Sequence, residues 1–203
     1  ADYLNNTYET NFKADNLYMT MGAAASLSIA FKALTSSPDD EIIAIAPFFP
    51  EYRVFVTAAG AKFNVVAPDT KNFQINFDEF EKLVNKNTKA VIINSPNNPS
   101  GAVYSEQTIK KLADFLSKKS EEYGTHIFII TDEPYREIVY DGVEVPYVTK
   151  YYNDTIVCYS YSKSLSLPGE RIGFILVPDE AYESKKLYAA VCGAGRALGY
   201  VCA

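Results

Sequence analysis

The 203 residues are 48% hydrophobic with a formal net charge of −6, which suffices for one substantial core, while basic residues scattered among acidic ones argue against a nucleic-acid surface. No apolar stretch is long enough to span a bilayer and no basic-then-apolar leader opens the chain, so neither a membrane nor an export route is expected. Cys158, Cys192 and Cys202 form no CxxC pair and His126 is the single histidine, so no metal is expected and reduced, mostly buried thiols in a cytoplasmic protein are.

In chain order, Gly22-Ala23-Ala24-Ala25-Ser26-Leu27 opens a helix whose apolar positions Leu27, Ala30, Phe31 and Leu34 fall on one face. By itself this is the pattern of an ordinary buried helix. Small residues at its start also let a ligand approach the backbone, where free N–H groups favour a phosphate. Strands are predicted at about 41–46, 62–67, 89–94, 126–131, 155–160 and 172–177, with helices between them. Asn76 with Glu79 makes a capping-box pattern before Phe77, Phe80 and Val84. Ser105 can cap the next helix, striped by Ile109, Leu112, Ala113 and Leu116. Such alternation predicts an α/β fold with a mostly parallel central sheet and helices on both faces. The segment from Asp141-Gly142 to Asp154 reads as a tyrosine-rich loop. No repeat, low-complexity tract or linker divides the chain, which reads as one domain.

Three segments at predicted strand ends carry chemistry. Asn94-Ser95-Pro96-Asn97-Asn98-Pro99-Ser100-Gly101 follows Ala90-Val91-Ile92-Ile93, and its prolines and glycine fix a rigid loop where ligands of open α/β sheets bind. Asp132-Glu133-Pro134-Tyr135 ends the run Ile127-Phe128-Ile129-Ile130; a carboxylate there also suits a helix cap. Ser160-Tyr161-Ser162-Lys163, followed by Gly169-Glu170-Arg171-Ile172-Gly173, sets one lysine, two hydroxyls and one arginine around a single anionic cofactor. A lysine forms a Schiff base with an aldehyde, and serine hydroxyls with an arginine fork hold a phosphate. Those are the parts a pyridoxal 5'-phosphate site needs. Nicotinamide and nucleoside triphosphate binding lack their motifs, GxGxxG and GxxxxGK[ST].

These segments, in this order and spacing, resemble the large domain of pyridoxal-phosphate-dependent aminotransferases of class I/II, the aspartate aminotransferase-like type (a fold-type I PLP-dependent transferase). The likeness runs over nearly the whole chain. Pro47-Phe48-Phe49-Pro50-Glu51-Tyr52 resembles the family's PxYPxY segment, and Asn97-Asn98-Pro99-Ser100-Gly101 departs from NNPTG only at Ser100. The resemblance implies that Lys163 is the Schiff-base lysine and that Asp132 partners the pyridine nitrogen. It gives Tyr135 and Asn98 the ring's 3-oxygen, and Phe49 the place of a ring that stacks on the cofactor. Ser160, Ser162 and Arg171 then make the phosphate cup, which the small residues Gly22, Ala23 and Ala24 complete at the helix start. As catalytic groups it implies Lys163, Asp132 and Tyr135.

What the resemblance further implies is an enzyme moving an amino group between an amino acid and a 2-oxo acid, working as a homodimer. The same cup also serves carbon–sulfur lyases, decarboxylating synthases and the effector domains of some transcription regulators. Residues 1–203 are expected to be the cofactor-binding large domain alone, a fragment lacking an N-terminal segment and the C-terminal small domain. The family's small domain supplies the arginine that grips the substrate's α-carboxylate, so the fragment by itself is expected to be inactive. Arg196 is expected to be a solvated or capping residue. No helix-stop signal is evident in Leu198-Gly199-Tyr200-Val201-Cys202.

Overall fold

The computed structural model describes residues 1–200. The elements are α1 (Asp2–Tyr8), β1 (Leu17–Thr20), α2 (Ala23–Leu34), β2 (Glu41–Ile45), α3 (Glu51–Ala59), β3 (Lys62–Val66), α4 (Phe77–Leu83), β4 (Thr88–Asn94), α5 (Glu106–Tyr123), β5 (Phe128–Asp132), β6 (Thr155–Ser160), α6 (Tyr161–Ser164), β7 (Gly173–Leu176) and α7 (Ser184–Ala197). Seven strands form one sheet in the order β1-β7-β6-β5-β4-β2-β3. The five from β3 to β6 are parallel, while β7 runs antiparallel to β6 and β1 antiparallel to β7. The α/β fold with a mostly parallel sheet is therefore as the sequence predicts. Edge strand β1 was not predicted, because its four residues, Leu17–Thr20, are too few to give a clear alternation.

Strand alternation divides the core between the two faces. Ile42, Ala44, Ile92, Ile130, Ile156 and Cys158 pack with α2, α3 and α7. Ile43, Ile45, Val91, Ile93 and Ile129 pack with α4 and α5, and Val157 and Tyr159 continue that face beneath α1. Such strands are apolar on both sides because both sides are covered.

Caps set where the helices start. Asn76 accepts from the Glu79 amide, but the Glu79 carboxylate pairs with Lys82 instead of reaching back, so only half of the predicted box forms. Ser105 accepts from the Thr108 amide as predicted. The 141–154 segment is a loop as the sequence predicts, with a short 3-10 turn at Val148–Lys150, and it contributes the core side chains Tyr147, Val148 and Tyr152. One expectation is corrected. The C-terminal helix does have a stop: α7 ends at Ala197 and Gly199 adopts φ +82°, a conformation glycine enters at little cost. Cys158 is buried and Cys192 half-buried, both as free thiols, and Cys202 lies outside the described residues.

Candidate active site

The carboxyl ends of the parallel strands and the start of α2 enclose a crevice of about 340 Å³. Ala23, Ala24, Phe49, Asn98, Asp132, Tyr135, Ser160, Ser162, Lys163 and Arg171 all line it. Gly22 sits at its edge as the residue before α2, with φ +83° and no side-chain cap. A Cβ built on Gly22 would lie 2.9 Å from Arg171 Nη2 and 3.7 Å from Ser160 Oγ. Guanidinium, serine hydroxyl and helix N-terminus thus converge on one spot, where only a glycine leaves room. Gly173 makes the convergence possible, since a Cβ there would stand 2.3 Å from the Tyr159 carbonyl oxygen and 3.0 Å from Gly22 Cα.

Each side chain is aimed by its element. Ser160 ends β6 and caps α6, accepting from the Ser162 amide at 3.1 Å and donating to the Ser162 hydroxyl at 2.7 Å. The single turn of α6 carries Lys163, whose Nζ lies 5.9 Å from the centre of the Tyr135 ring. Arg171 donates to the Pro168 carbonyl at 2.9 Å and to that of Met21 at 3.4 Å. That ties the loop after Lys163 to the turn before α2. Asn94 acts as a strut: its Oδ1 accepts from the Asn98 amide at 2.6 Å and its Nδ2 donates to the Asp132 carbonyl at 2.7 Å. Ser100 donates to Asn97 Oδ1 at 2.7 Å, so the hydroxyl alone, without threonine's methyl, makes this bond.

Asp132 is the most unusual group in the crevice. It is 5% exposed; Oδ2 accepts a 2.5 Å bond from the Tyr52 hydroxyl, and Oδ1 is buried with no partner at all. Burial pushes its carboxyl up to about 7, with the Tyr52 bond pulling the other way and neighbouring Glu133 adding to the rise. Burial and Asp132 together hold the Tyr52 hydroxyl protonated. Burial likewise raises Tyr135, with Asp132 adding to the effect and the Asn98 side chain opposing it. An unpartnered buried acceptor is rare in native structures and marks a place for a donor. Tyr52 was not singled out from sequence as a site residue, although it ends the PxYPxY-like segment; nor was Asn94.

A larger, open depression of about 1030 Å³ lies near His126. There the polar groups satisfy each other: His126 Nδ1 lies 2.8 Å from Asp154 Oδ2, and Asp154 Oδ1 accepts from the Tyr182 amide. Convergent groups with open valences, and not volume, single out the crevice.

The family sequence model described as aminotransferase class I and II matches residues 1–194. The chain belongs to that family. Its aminotransferase relatives include the probable N-acetyl-LL-diaminopimelate aminotransferase of Bacillus subtilis, 32% identical over 88% of this chain and 44% of that protein. The aspartate aminotransferase of Pyrococcus horikoshii is also 32% identical, over 95% of this chain and 48% of its own length. Among solved structures, an amino transferase from Eubacterium rectale is 72% identical with a TM-score of 0.99, covering all of this chain and 51% of that one. The aspartate aminotransferase of Thermotoga maritima gives 31% and 0.85, covering 98% and 50%. The chain thus spans about half the length of the relatives it matches. Class I/II aminotransferases depend in general on pyridoxal phosphate and act on amino and oxo acids.

Proposed function

We propose that the chain is the cofactor-binding domain of an aminotransferase that moves an amino group between an amino acid and a 2-oxo acid, with pyridoxal 5'-phosphate held on Lys163. The observation that carries this reading is the buried, unpartnered Oδ1 of Asp132, set in the same crevice as Lys163 and the cradle of Arg171, Ser160 and the α2 N-terminus. The residues fit the cofactor in type and placement. A phosphate dianion suits the guanidinium, the hydroxyls of Ser160 and Ser162 and the first amides of α2. A protonated ring nitrogen would give Oδ1 its missing donor, and an opposite charge there would draw the Asp132 carboxyl down and keep it ionised. Tyr135 and Asn98 would hold the 3-oxygen, and Phe49 offers a ring face without a phenolic hydroxyl.

When bound, pyridoxal phosphate supplies an electron sink that makes the substrate's Cα proton acidic. Lys163 would hold the cofactor covalently through Nζ. Its amine, once released, would be the group placed to take the proton from Cα and hand it back. Asp132 would keep a proton on the ring nitrogen, and the Tyr52 bond to Oδ2 would leave Oδ1 as the oxygen that does so. The lyase, synthase and regulator readings have no observation of their own in their favour. Pairing of two copies across the crevice mouth is part of the proposal, since Leu165, Leu167 and Ile172 lie exposed around Lys163 and Arg171.

The test is to add pyridoxal phosphate, follow the visible absorption of the lysine-linked cofactor, fix it with borohydride and map the labelled peptide. Label on the Lys163 peptide is expected. The same label in Lys163→Ala would overturn the assignment.

A further inference from the structure

Tyr159 precedes Ser160 on β6 and therefore points to the opposite face of the sheet. Its ring is 6% exposed, stacked on Phe174 at 5.0 Å between centres and edge-on to Tyr161 at 5.1 Å. A phenylalanine would fill this place equally well. The hydroxyl, however, has two partners in two different turns: it lies 3.0 Å from Glu137 Oε2 and 2.7 Å from Ser164 Oγ. Glu137 belongs to the turn after β5, two residues beyond Tyr135, where the Ile138 amide closes onto the Tyr135 carbonyl at 2.8 Å. Ser164 is the last residue of α6, next to Lys163.

Donor accounting gives the bonds a direction. A carboxylate only accepts, and a phenol has one proton. Burial keeps the Tyr159 hydroxyl protonated. Tyr159 therefore donates to Glu137, and Ser164 donates to Tyr159. The chain Ser164 to Tyr159 to Glu137 ends on an anion, and each bond polarises the next. Meanwhile α6 has only four residues, far fewer than a helix needs to stand alone. Its start is fixed by the Ser160 cap and its end by the Tyr159 hydroxyl.

We propose that Tyr159 is a positioning residue for Lys163, its hydroxyl locking the turn that carries the lysine against the turn that carries Tyr135. The proposal rests on the reading above, in which Lys163 and Tyr135 hold one cofactor. It assigns Glu137 and Ser164 as the two ends of the lock and predicts that the hydroxyl, not the ring, matters.

Tyr159→Phe, made in the whole chain, keeps the ring packing and removes the lock. Without cofactor, amide hydrogen exchange at Leu165 and Ser166 is expected to quicken about fivefold, the worth of one net hydrogen bond. With pyridoxal phosphate, affinity should fall by a similar factor, and the pH midpoint of the bound cofactor's visible absorption should move. Ser164→Ala should reproduce both effects, Ser164→Thr should behave as wild type, and the double variant Tyr159→Phe/Ser164→Ala should be no worse than either single one. A wild-type chain that forms no reducible Lys163 adduct sinks the cofactor reading and this role with it. If wild type does form the adduct and Tyr159→Phe matches it in both exchange and spectrum, the lock alone fails. Additive losses in the double variant would likewise overturn it.

Discussion

At the scale of single residues, Asp132 makes the cofactor-free protein sensitive to pH in a direction that can be worked out. Its carboxyl ionises at about 7 in the fold against 3.8 ordinarily. Below pH 4 both folded and unfolded chains keep the proton, so the group costs nothing. Between pH 4 and 7 the unfolded chain releases it first and stability falls; above 7 the penalty is constant, on the order of 4 kcal/mol. Asp132→Asn keeps an acceptor for the Tyr52 hydroxyl but cannot ionise. It is expected to melt higher than wild type at pH 8 and close to it at pH 4, while losing most cofactor affinity. An equal offset at both pH values would show that burial of charge is not the cause. Tyr52→Phe removes the one hydrogen bond to this carboxyl and should weaken pyridoxal phosphate binding at pH 8 by about tenfold, a charge-assisted bond being worth about 1.5 kcal/mol or more. Calorimetric titration against wild type reads this directly; unchanged affinity would make Tyr52 a packing residue only.

At the scale of elements, the site depends on two backbones coming unusually close. Gly22→Ala forces a side chain into φ +83° and against the Arg171 guanidinium. Strain of about 1–2 kcal/mol, placed at the phosphate cradle, should lower pyridoxal phosphate affinity about tenfold and affect phosphate-free pyridoxal much less. Comparable losses for both aldehydes would move the phosphate elsewhere. Much of this arrangement was legible in the sequence because it hangs on local signals. Apolar β-runs gave β2 through β7 to within two residues, and motif order placed Lys163, Arg171, Asp132 and Asn98 at strand ends. Long-range packing left the rest hidden. Nothing near Tyr52 announces that it meets a carboxylate eighty residues on, and nothing in Tyr159-Ser160 says that the tyrosine hydroxyl spans two turns. Helix α1, with only Leu4 buried, and edge strand β1 carry too little apolar pattern to be read at all.

At the scale of the whole molecule, cofactor binding and turnover are separable. Every residue proposed to hold pyridoxal phosphate comes from within this chain, from the ends of β5 and β6, the segments that follow β2, β4, β5 and β6, the turn before β7 and the start of α2. A substrate amino acid brings a second anion, its α-carboxylate, which needs a cation of its own to be held and oriented. Among the described residues the only arginine lining the crevice is Arg171, which the phosphate cradle uses. Arg196 sits exposed in the last turn of α7 and does not line it. The chain spans about half the length of its relatives, and the second cation is expected in the other half. The cofactor-loaded chain should therefore take up pyridoxal phosphate stoichiometrically yet turn over aspartate, alanine or glutamate at least about a hundredfold more slowly than a full-length relative, the cost of modest misplacement at the reacting carbon. Keto-acid formation with 2-oxoglutarate or pyruvate as acceptor, followed beside such a relative, decides it. Comparable rates would mean that the α-carboxylate is gripped within this chain, and Arg196→Ala would be the first variant to make.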